Sequence, residues 1–162
     1  MQQLDPGFSV EAQDGVWADM VDRWMTKRSQ QMPDLPAPGT NGTLVVGISS
    51  GGFPFSAVQN NELAGFDVEL ARRFGAHIGR EVRFADQDFS GLIAALASGK
   101  IDVIIADMFD TDERRKQIDF SDPYFNQDSV AFTRKANTMA PGAADDADTP
   151  LPSFSARLSF VG

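Results

Sequence analysis

The sequence predicts an α/β fold built on a parallel sheet. Three observations carry that reading. Short apolar runs of buried-strand type alternate with segments of helical period between residues 43 and 135. Glycine, proline, serine or aspartate punctuates most of the changes. The chain has 162 residues, enough to bury a core without the help of disulfides or metal. The order strand–helix–strand–helix–strand then implies right-handed crossovers and parallel pairing.

The elements follow in order. Residues 1–31 form a helical segment. Val16, Trp17, Met20, Val21 and Trp24 recur at spacings of three and four, and Gly15 divides the pattern into two short helices. Trp17 and Trp24 share one face, which signals packing. Residues 32–42 are a linker, because three prolines and two glycines forbid a continuous helix or a central strand. Leu44-Val-Val-Gly-Ile48 is a buried strand. Residues 65–78 are a helix with Asp67 at its N-terminus, where a carboxylate accepts backbone N–H bonds and favours the dipole. Val68, Ala71, Phe74 and Ile78 make its inner stripe, and Gly79 ends it. Glu81-Val-Arg-Phe84 alternates as a strand. Residues 90–99 are a helix capped by Ser90 and stopped by Gly99, and Ile101-Asp-Val-Ile-Ile-Ala106 is the third strand. Thr111 caps a short helix that runs towards Ile118. Asp119-Phe-Ser-Asp-Pro-Tyr-Phe125 reads as a turn, and Val130-Ala-Phe-Thr-Arg134 as a strand leaving the unit. Residues 136–153 are an acidic flexible loop, and residues 154–162 begin a further strand.

Composition narrows the chemistry. With 14 Lys+Arg against 23 Asp+Glu, the net charge of −9 opposes a nucleic-acid partner, which needs cations to displace counterions. The absence of Cys removes thiol nucleophiles, iron–sulfur clusters and thiolate-bound zinc. The single His, His77, cannot form a His-rich metal site, and late in its helix it reads as structural. No stretch approaches the ~20 apolar residues of a membrane span. The first residues lack the basic and apolar regions of a signal peptide. Ser49-Ser-Gly-Gly52 follows a strand but lacks either phosphate-binding glycine spacing. Asp107, Asp110, Asp112 and Glu113 lack the EF-hand spacing and have a structural reason at a helix start, as do Asp86 and Asp88. No metal and no cofactor is expected.

Ligands of open α/β sheets bind beyond the carboxyl ends of the strands, where the strand order reverses. Residues 49–55, 87–90 and 107–114 would converge there. By the residues alone, Arg114 reads either as a solvated helix cation beside Arg115 and Lys116 or as a ligand contact, and Phe89 reads equally as core or as site.

Four motifs in order then carry a family resemblance: Gly65-Phe-Asp-Val-Glu-Leu70, Asp88-Phe-Ser-Gly-Leu-Ile93, Leu96-Ala-Ser-Gly-Lys-Ile-Asp-Val103 and Thr111-Asp-Glu-Arg-Arg-Lys-Gln-Ile-Asp-Phe-Ser-Asp-Pro-Tyr124. Together they resemble the first lobe of the family 3 periplasmic solute-binding proteins that serve polar amino-acid ABC transporters. The resemblance implies a lobe of the type II periplasmic-binding-protein fold, residues 43–135, and a non-enzymatic module for an amino acid or similar zwitterion. It also implies an exported protein and a permease as partner. Arg114 corresponds to the Arg that clamps the ligand carboxylate, a task suited to its planar fork of donors. Phe89 corresponds to the covering aromatic, and Thr111 and Asp112 to the residues that hold the Arg loop.

The departures are specific to this chain. Asp107 and Phe109 stand where the family has a small residue and a hydroxyl, and Ser49 and Gly52, with Phe53 nearby, stand where it often has an acid and an aromatic. Asp107 is therefore expected to meet a ligand ammonium, with backbone groups near Ser49 and Phe109 orienting the ligand. Residues 8–24 resemble the closing helices of such proteins, displaced in front of the lobe, and residues 154–162 the truncated start of a second lobe. The chain then reads as the tail of one copy, a linker and the first lobe of the next. A rearranged single copy, whose Trp17/Trp24 helix packs back on this lobe, is the rival. One lobe supplies half the contacts and no closure, so its own affinity should be weak, and it could self-associate. The resemblance leaves two other functions open: a prephenate-dehydratase-like enzyme using Asp107, and a sensory or interaction domain that has lost its ligand.

Overall fold

The computed structural model of the chain describes residues 15–127 and, as backbone, the strand at 154–160. The expected strand at 130–134 and the acidic loop at 136–153 lie outside the described residues, as do residues 1–14 of the N-terminal segment.

The chain forms an α/β lobe. Helix α1 (Val16–Val21) passes into a π-helical turn (Asp22–Thr26), and an extended segment leads to strand β1 (Thr43–Ile48). A small antiparallel sheet of β2 (Gly51–Gly52), β3 (Ser56–Gln59) and β4 (Glu62–Ala64) follows. Then come α2 (Phe66–His77), β5 (Glu81–Asp86), a 3₁₀ turn (Phe89–Gly91), α3 (Leu92–Ala97), β6 (Val103–Phe109), α4 (Asp112–Arg115), β7 (Asp119–Gln127) and β8 (Phe154–Phe160). The main sheet has the order β5-β1-β6-β8-β7. β1 pairs in parallel with both β5 and β6, as the alternating pattern requires. The chain moves from β1 to β5 on one side and returns past β1 to β6 on the other, so the strand order reverses between β1 and β6.

Two packed layers hold the sheet. On one face α2 presents Phe66, Leu70, Ala71 and Phe74 to Val46, Val103 and Ile105, with Met20 and Trp24 of the N-terminal segment in the same cluster. On the other, Leu92, Ala95 and Leu96 of α3 meet Ile104, Ala106 and Met108. Val68, Ala71 and Phe74 of the expected stripe are buried, and Ile78 is half-buried.

Four expectations need correction. The segment read as a turn, residues 119–125, is strand β7. Its Pro123 is tolerated because β7 is the sheet edge and the register shifts on either side of the proline. Residues 154–160, expected to begin a second lobe, form a strand of this one: β8 lies between β6 and β7 and runs antiparallel to both. Asp67 does not cap α2. Gly65 is the N-cap, and the first N–H groups, those of Phe66 and Asp67, donate instead to the carbonyls of Pro54 and Phe55 at 2.9 Å each. Gly65 is required there, with φ 140° and a Cβ position only 2.2 Å from the Phe55 oxygen. Ser90 does not cap α3 either, since it lies inside the 3₁₀ turn and Gly91 is the N-cap. Thr111 does cap: its Oγ1 accepts the Arg114 N–H at 3.4 Å.

The N-terminal segment packs on this lobe. Trp17 meets Phe66 edge-on at 5.2 Å and Phe125 at 5.9 Å, and Arg28 lies 5.3 Å from the Phe53 ring. Beneath it Glu69 of α2 is wholly buried. Its carboxylate accepts from Arg23 (2.8 and 2.9 Å), Trp24 Nε1 (2.7 Å) and Arg73 (2.7 and 2.9 Å).

Candidate functional site

The three segments expected to converge do meet. A cleft of about 200 Å³ opens beyond the carboxyl ends of β1 and β6. Ser49, Gly51 and Gly52 line it from the first segment, Phe89 from the second, and Ala106 and Asp107 from the third. Phe55 and Ser56 complete the lining.

Hydrogen bonds fix the cleft walls. Ser56 Oγ donates to the Ser49 carbonyl at 2.6 Å, tying the β3 strand to the end of β1. Ser50 donates its N–H and its hydroxyl to the two oxygens of Asp86, at 3.0 and 2.6 Å. The pair Asp86 and Asp88 is thus divided: Asp86 holds a loop, and Asp88 opens the 3₁₀ turn, its carbonyl accepting the Gly91 N–H at 2.9 Å.

Arg114 starts from the turn that Thr111 caps. Its Nη1 donates to the Phe109 carbonyl at 2.7 Å, and its guanidinium carbon lies 5.3 Å from the centre of the Phe89 ring. The carbonyl bond uses one of five N–H donors and aims the fork along the cleft-lining aromatic. Phe89 is 37% exposed, too open for the core reading. The neighbouring cation has a separate duty, since Arg115 pairs with Asp110. Of the expected site residues, Ser49, Phe89 and Asp107 line the cleft and Arg114 stands against Phe89. Phe53 does not line it: it is half-buried beneath Arg28. Phe109 contributes its carbonyl to Arg114 and pairs with Ala156 of β8.

Asp107 is the unusual lining residue. It has φ 49°, in the left-handed region that Asp enters more readily than most side chains but at some cost. Its backbone N–H donates to Tyr124 Oη at 3.1 Å, and that hydroxyl donates to Asp67 Oδ1 at 2.9 Å. Asp67 is completely buried, and its Oδ2 has no hydrogen-bond partner. Burial pushes the Asp67 carboxyl up to about 7. The Tyr124 hydroxyl opposes that rise, the Asp107 charge adds to it, and the Asp107 backbone N–H opposes it. Burial and the two carboxylates push the Tyr124 hydroxyl well above its ordinary range. Sequence reasoning took Asp67 for a helix cap and met Tyr124 only as a letter in a motif. The available signal was that Tyr124 is the sole Tyr of the chain and follows a proline in one of the four motifs. Phe55 was included only as the end of a converging segment, and Ser56, one residue further, gave no signal.

Among the described residues, no helix is long and apolar enough to cross a membrane, and no three His, Asp or Glu side chains gather as a metal site.

Comparison with known proteins accounts for this arrangement. The family model described as "Bacterial extracellular solute-binding proteins, family 3" matches residues 44–152. The arginine-binding extracellular protein ArtP of Bacillus subtilis is 38% identical over 92 residues, which cover 57% of this chain and 36% of ArtP. The L-cystine-binding protein TcyJ of Escherichia coli is 38% identical over 106 residues, covering 65% of this chain and 40% of TcyJ. This chain therefore spans about two fifths of the length of the curated relatives it matches. Among solved structures, the arginine-bound form of domain 1 from TmArgBP superposes with a TM-score of 0.56 at 34% identity, covering 74% of this chain and 80% of that one. An ancestral arginine-binding protein bound to arginine gives 0.52 at 50% identity, covering 53% and 38%. The cleft at the β1/β6 reversal, the Arg114 turn and the matched family model agree: the chain belongs to the bacterial extracellular solute-binding proteins, family 3.

Proposed function

We propose that this chain is a non-enzymatic binding module for an amino acid with a cationic group, working outside the cytoplasm with an ABC transporter permease. The observation that carries the reading is that Asp107 and Phe89 line one cleft and that the Arg114 guanidinium packs against that same Phe89 ring. Arg114 takes the ligand carboxylate through its remaining donors, Asp107 faces the ammonium, and Phe89 covers the side chain. Backbone groups near Ser49 and Phe109 orient the ligand. Opposed charges that meet the two termini of a ligand select a zwitterion over a simple acid or amine.

Two further observations support a cationic amino acid. Relatives of comparable identity are named for arginine, in Bacillus subtilis and Pseudomonas aeruginosa. The chain's net charge of −9 would steer cations towards it. The solved arginine-bound domain 1 supports a single lobe as a sufficient holder of arginine. Half a site still loses the contacts and water exclusion of closure, so the affinity should lie between about 1 mM and 1 μM. Asp107 in the cleft is all that favours a dehydratase-like reaction, and the matched relatives are named as binding proteins.

Isothermal titration of the chain with L-arginine, L-glutamine and L-glutamate tests this reading. Saturable binding of arginine that is strongest of the three, and is lost in Arg114→Ala, is expected. Equal or absent binding of all three would overturn it.

A further inference from the structure

Asp67, Tyr124 and Asp107 form a connected line from the interior to the cleft, and nothing in the carboxylate clamp uses it. Tyr124 Oη accepts the Asp107 N–H and donates to Asp67 Oδ1. The Asp107 backbone N–H also favours the ionised form of Asp67, and two neighbouring groups are already committed. On the loop before α2, the Phe55 carbonyl accepts its backbone N–H. On α2 itself, Glu69 is already matched by Arg23 and Arg73. Asp107 from β6 and Tyr124 from β7 are the titratable groups that face it, and no cation pairs with it among the described residues. A wholly buried carboxyl with one satisfied oxygen and no countercharge is costly to ionise. At the other end of the line, a residue with a side chain is held at positive φ in the wall of the cleft.

We propose that Asp67 and Tyr124 are positioning residues for Asp107, and that through them the binding of a cationic ligand group releases the proton held on Asp67. This deepens the reading above and rests on it.

The mechanism is electrostatic. Without ligand, the Asp107 carboxylate and the Asp67 carboxyl share a poorly solvated region, and a proton on Asp67 avoids two adjacent negative charges. An ammonium placed against Asp107 cancels the nearer charge. The Asp67 O–H bond then breaks, its electron pair stays on Asp67, and the proton leaves to the buffer. The Tyr124 hydroxyl remains bonded throughout and donates to the resulting carboxylate, a stronger bond than to the neutral acid. The Asp107 N–H is fixed to the other side of that same hydroxyl, so the left-handed turn is held by the group that senses the proton. The sign follows from linkage. A ligand that releases a proton binds more tightly as pH rises. With Asp67 near 7 in the empty protein, the gain falls between about pH 6 and 7.5.

The test is calorimetric titration with L-arginine at pH 7 in two buffers of different ionisation heat, repeated for affinity at pH 6 and 7.5. The wild-type chain should release part of a proton per arginine and bind about fivefold more tightly at the higher pH, within the usual range of coupling between sites. Asp67→Asn, which keeps the shape and cannot ionise, should bind with no such release and a flat profile. Titration of arginine itself is common to both proteins and cancels in the comparison. Tyr124→Phe should weaken binding at both pH values, because it frees the Asp107 turn. If Asp67→Asn does not fold, the wild-type chain decides by itself: equal apparent heats in the two buffers overturn the proposal. Binding with a proton release that survives in Asp67→Asn overturns it too. Arginine binding without any pH dependence would remove the coupling and leave the proposed function standing, whereas no binding at either pH would remove both.

Discussion

Asp67 and Glu69 stand two residues apart on α2, both wholly buried, yet their surroundings assign them different work. Glu69 receives two guanidiniums and an indole N–H, so both its oxygens are matched by donors and its charge by cations. It fastens the N-terminal segment, with Met20 and Trp24, to the lobe. Asp67 receives a phenol, faces another carboxylate, and has an oxygen without a partner. Burial alone therefore does not set the role of an acidic residue. The charge and donor count of its partners do, and here the two outcomes are a clamp and a proton-holding link to the cleft.

The largest expected effect breaks the clamp. Glu69→Ala leaves the half-buried Arg23 and Arg73 without their shared counterion, and should cost about 3–5 kcal/mol in denaturant unfolding. A cost well under 1 kcal/mol would mean that the two guanidiniums find water instead. Next comes the cleft side of the comparison. Arg114→Ala removes a charged hydrogen-bonding fork and should weaken arginine binding by about 1.5–3 kcal/mol, roughly tenfold to a hundredfold, with little change in melting temperature.

A third prediction sharpens the difference between the two carboxyls through stability. The folded Asp67 carboxyl lies near 7, against an ordinary value of 3.8. A raised acid favours the folded state fully below about pH 4, and the contribution is lost as pH rises through 7. The wild-type melting temperature should therefore fall relative to that of Asp67→Asn between pH 4 and 7, and run parallel to it above 8. Parallel profiles throughout would place Asp67 with Glu69 as a matched group. The smallest effect concerns the Arg114 turn. Thr111→Ala removes a long cap bond of 3.4 Å and should cost about 0.5–1 kcal/mol in thermal unfolding while reducing arginine affinity slightly.

The strands β1, β5 and β6 and the helices α2 and α3 were legible because each buries a face whose period is written locally, whereas the small sheet of β2, β3 and β4 was not read. Leu44 to Ile48, the 65–78 helix and Ile101 to Ala106 needed no distant information. Convergence of three loops was also legible, since it follows from strand order in a parallel sheet. What was not legible depends on contacts far apart in sequence. Asp67 looked like a helix cap because a carboxylate at a first turn usually is one. The carbonyls of Pro54 and Phe55 had already taken that task, and Tyr124 lies 57 residues away. Asp119 to Tyr124 looked like a turn because Pro123 excludes a central strand, but an edge strand tolerates it. The place of β8 could not be read from a sequence of strand type alone, because pairing between β6 and β7 is fixed by tertiary position. Phe53 was chosen for nearness in sequence, and the chain's path beyond it carries Phe55 to the cleft instead.

We propose that one cleft, between the ends of β1 and β6, holds an amino acid through Arg114 and Asp107. Amide chemical shifts of the isotope-labelled chain, followed while L-arginine is added, test it most directly. Saturable shifts that concentrate at Ser49, Phe89, Asp107 and Arg114 and propagate to Tyr124 are expected, with the Trp17–Trp24 segment unmoved. Shifts confined to the N-terminal segment, or none at millimolar arginine, would contradict it.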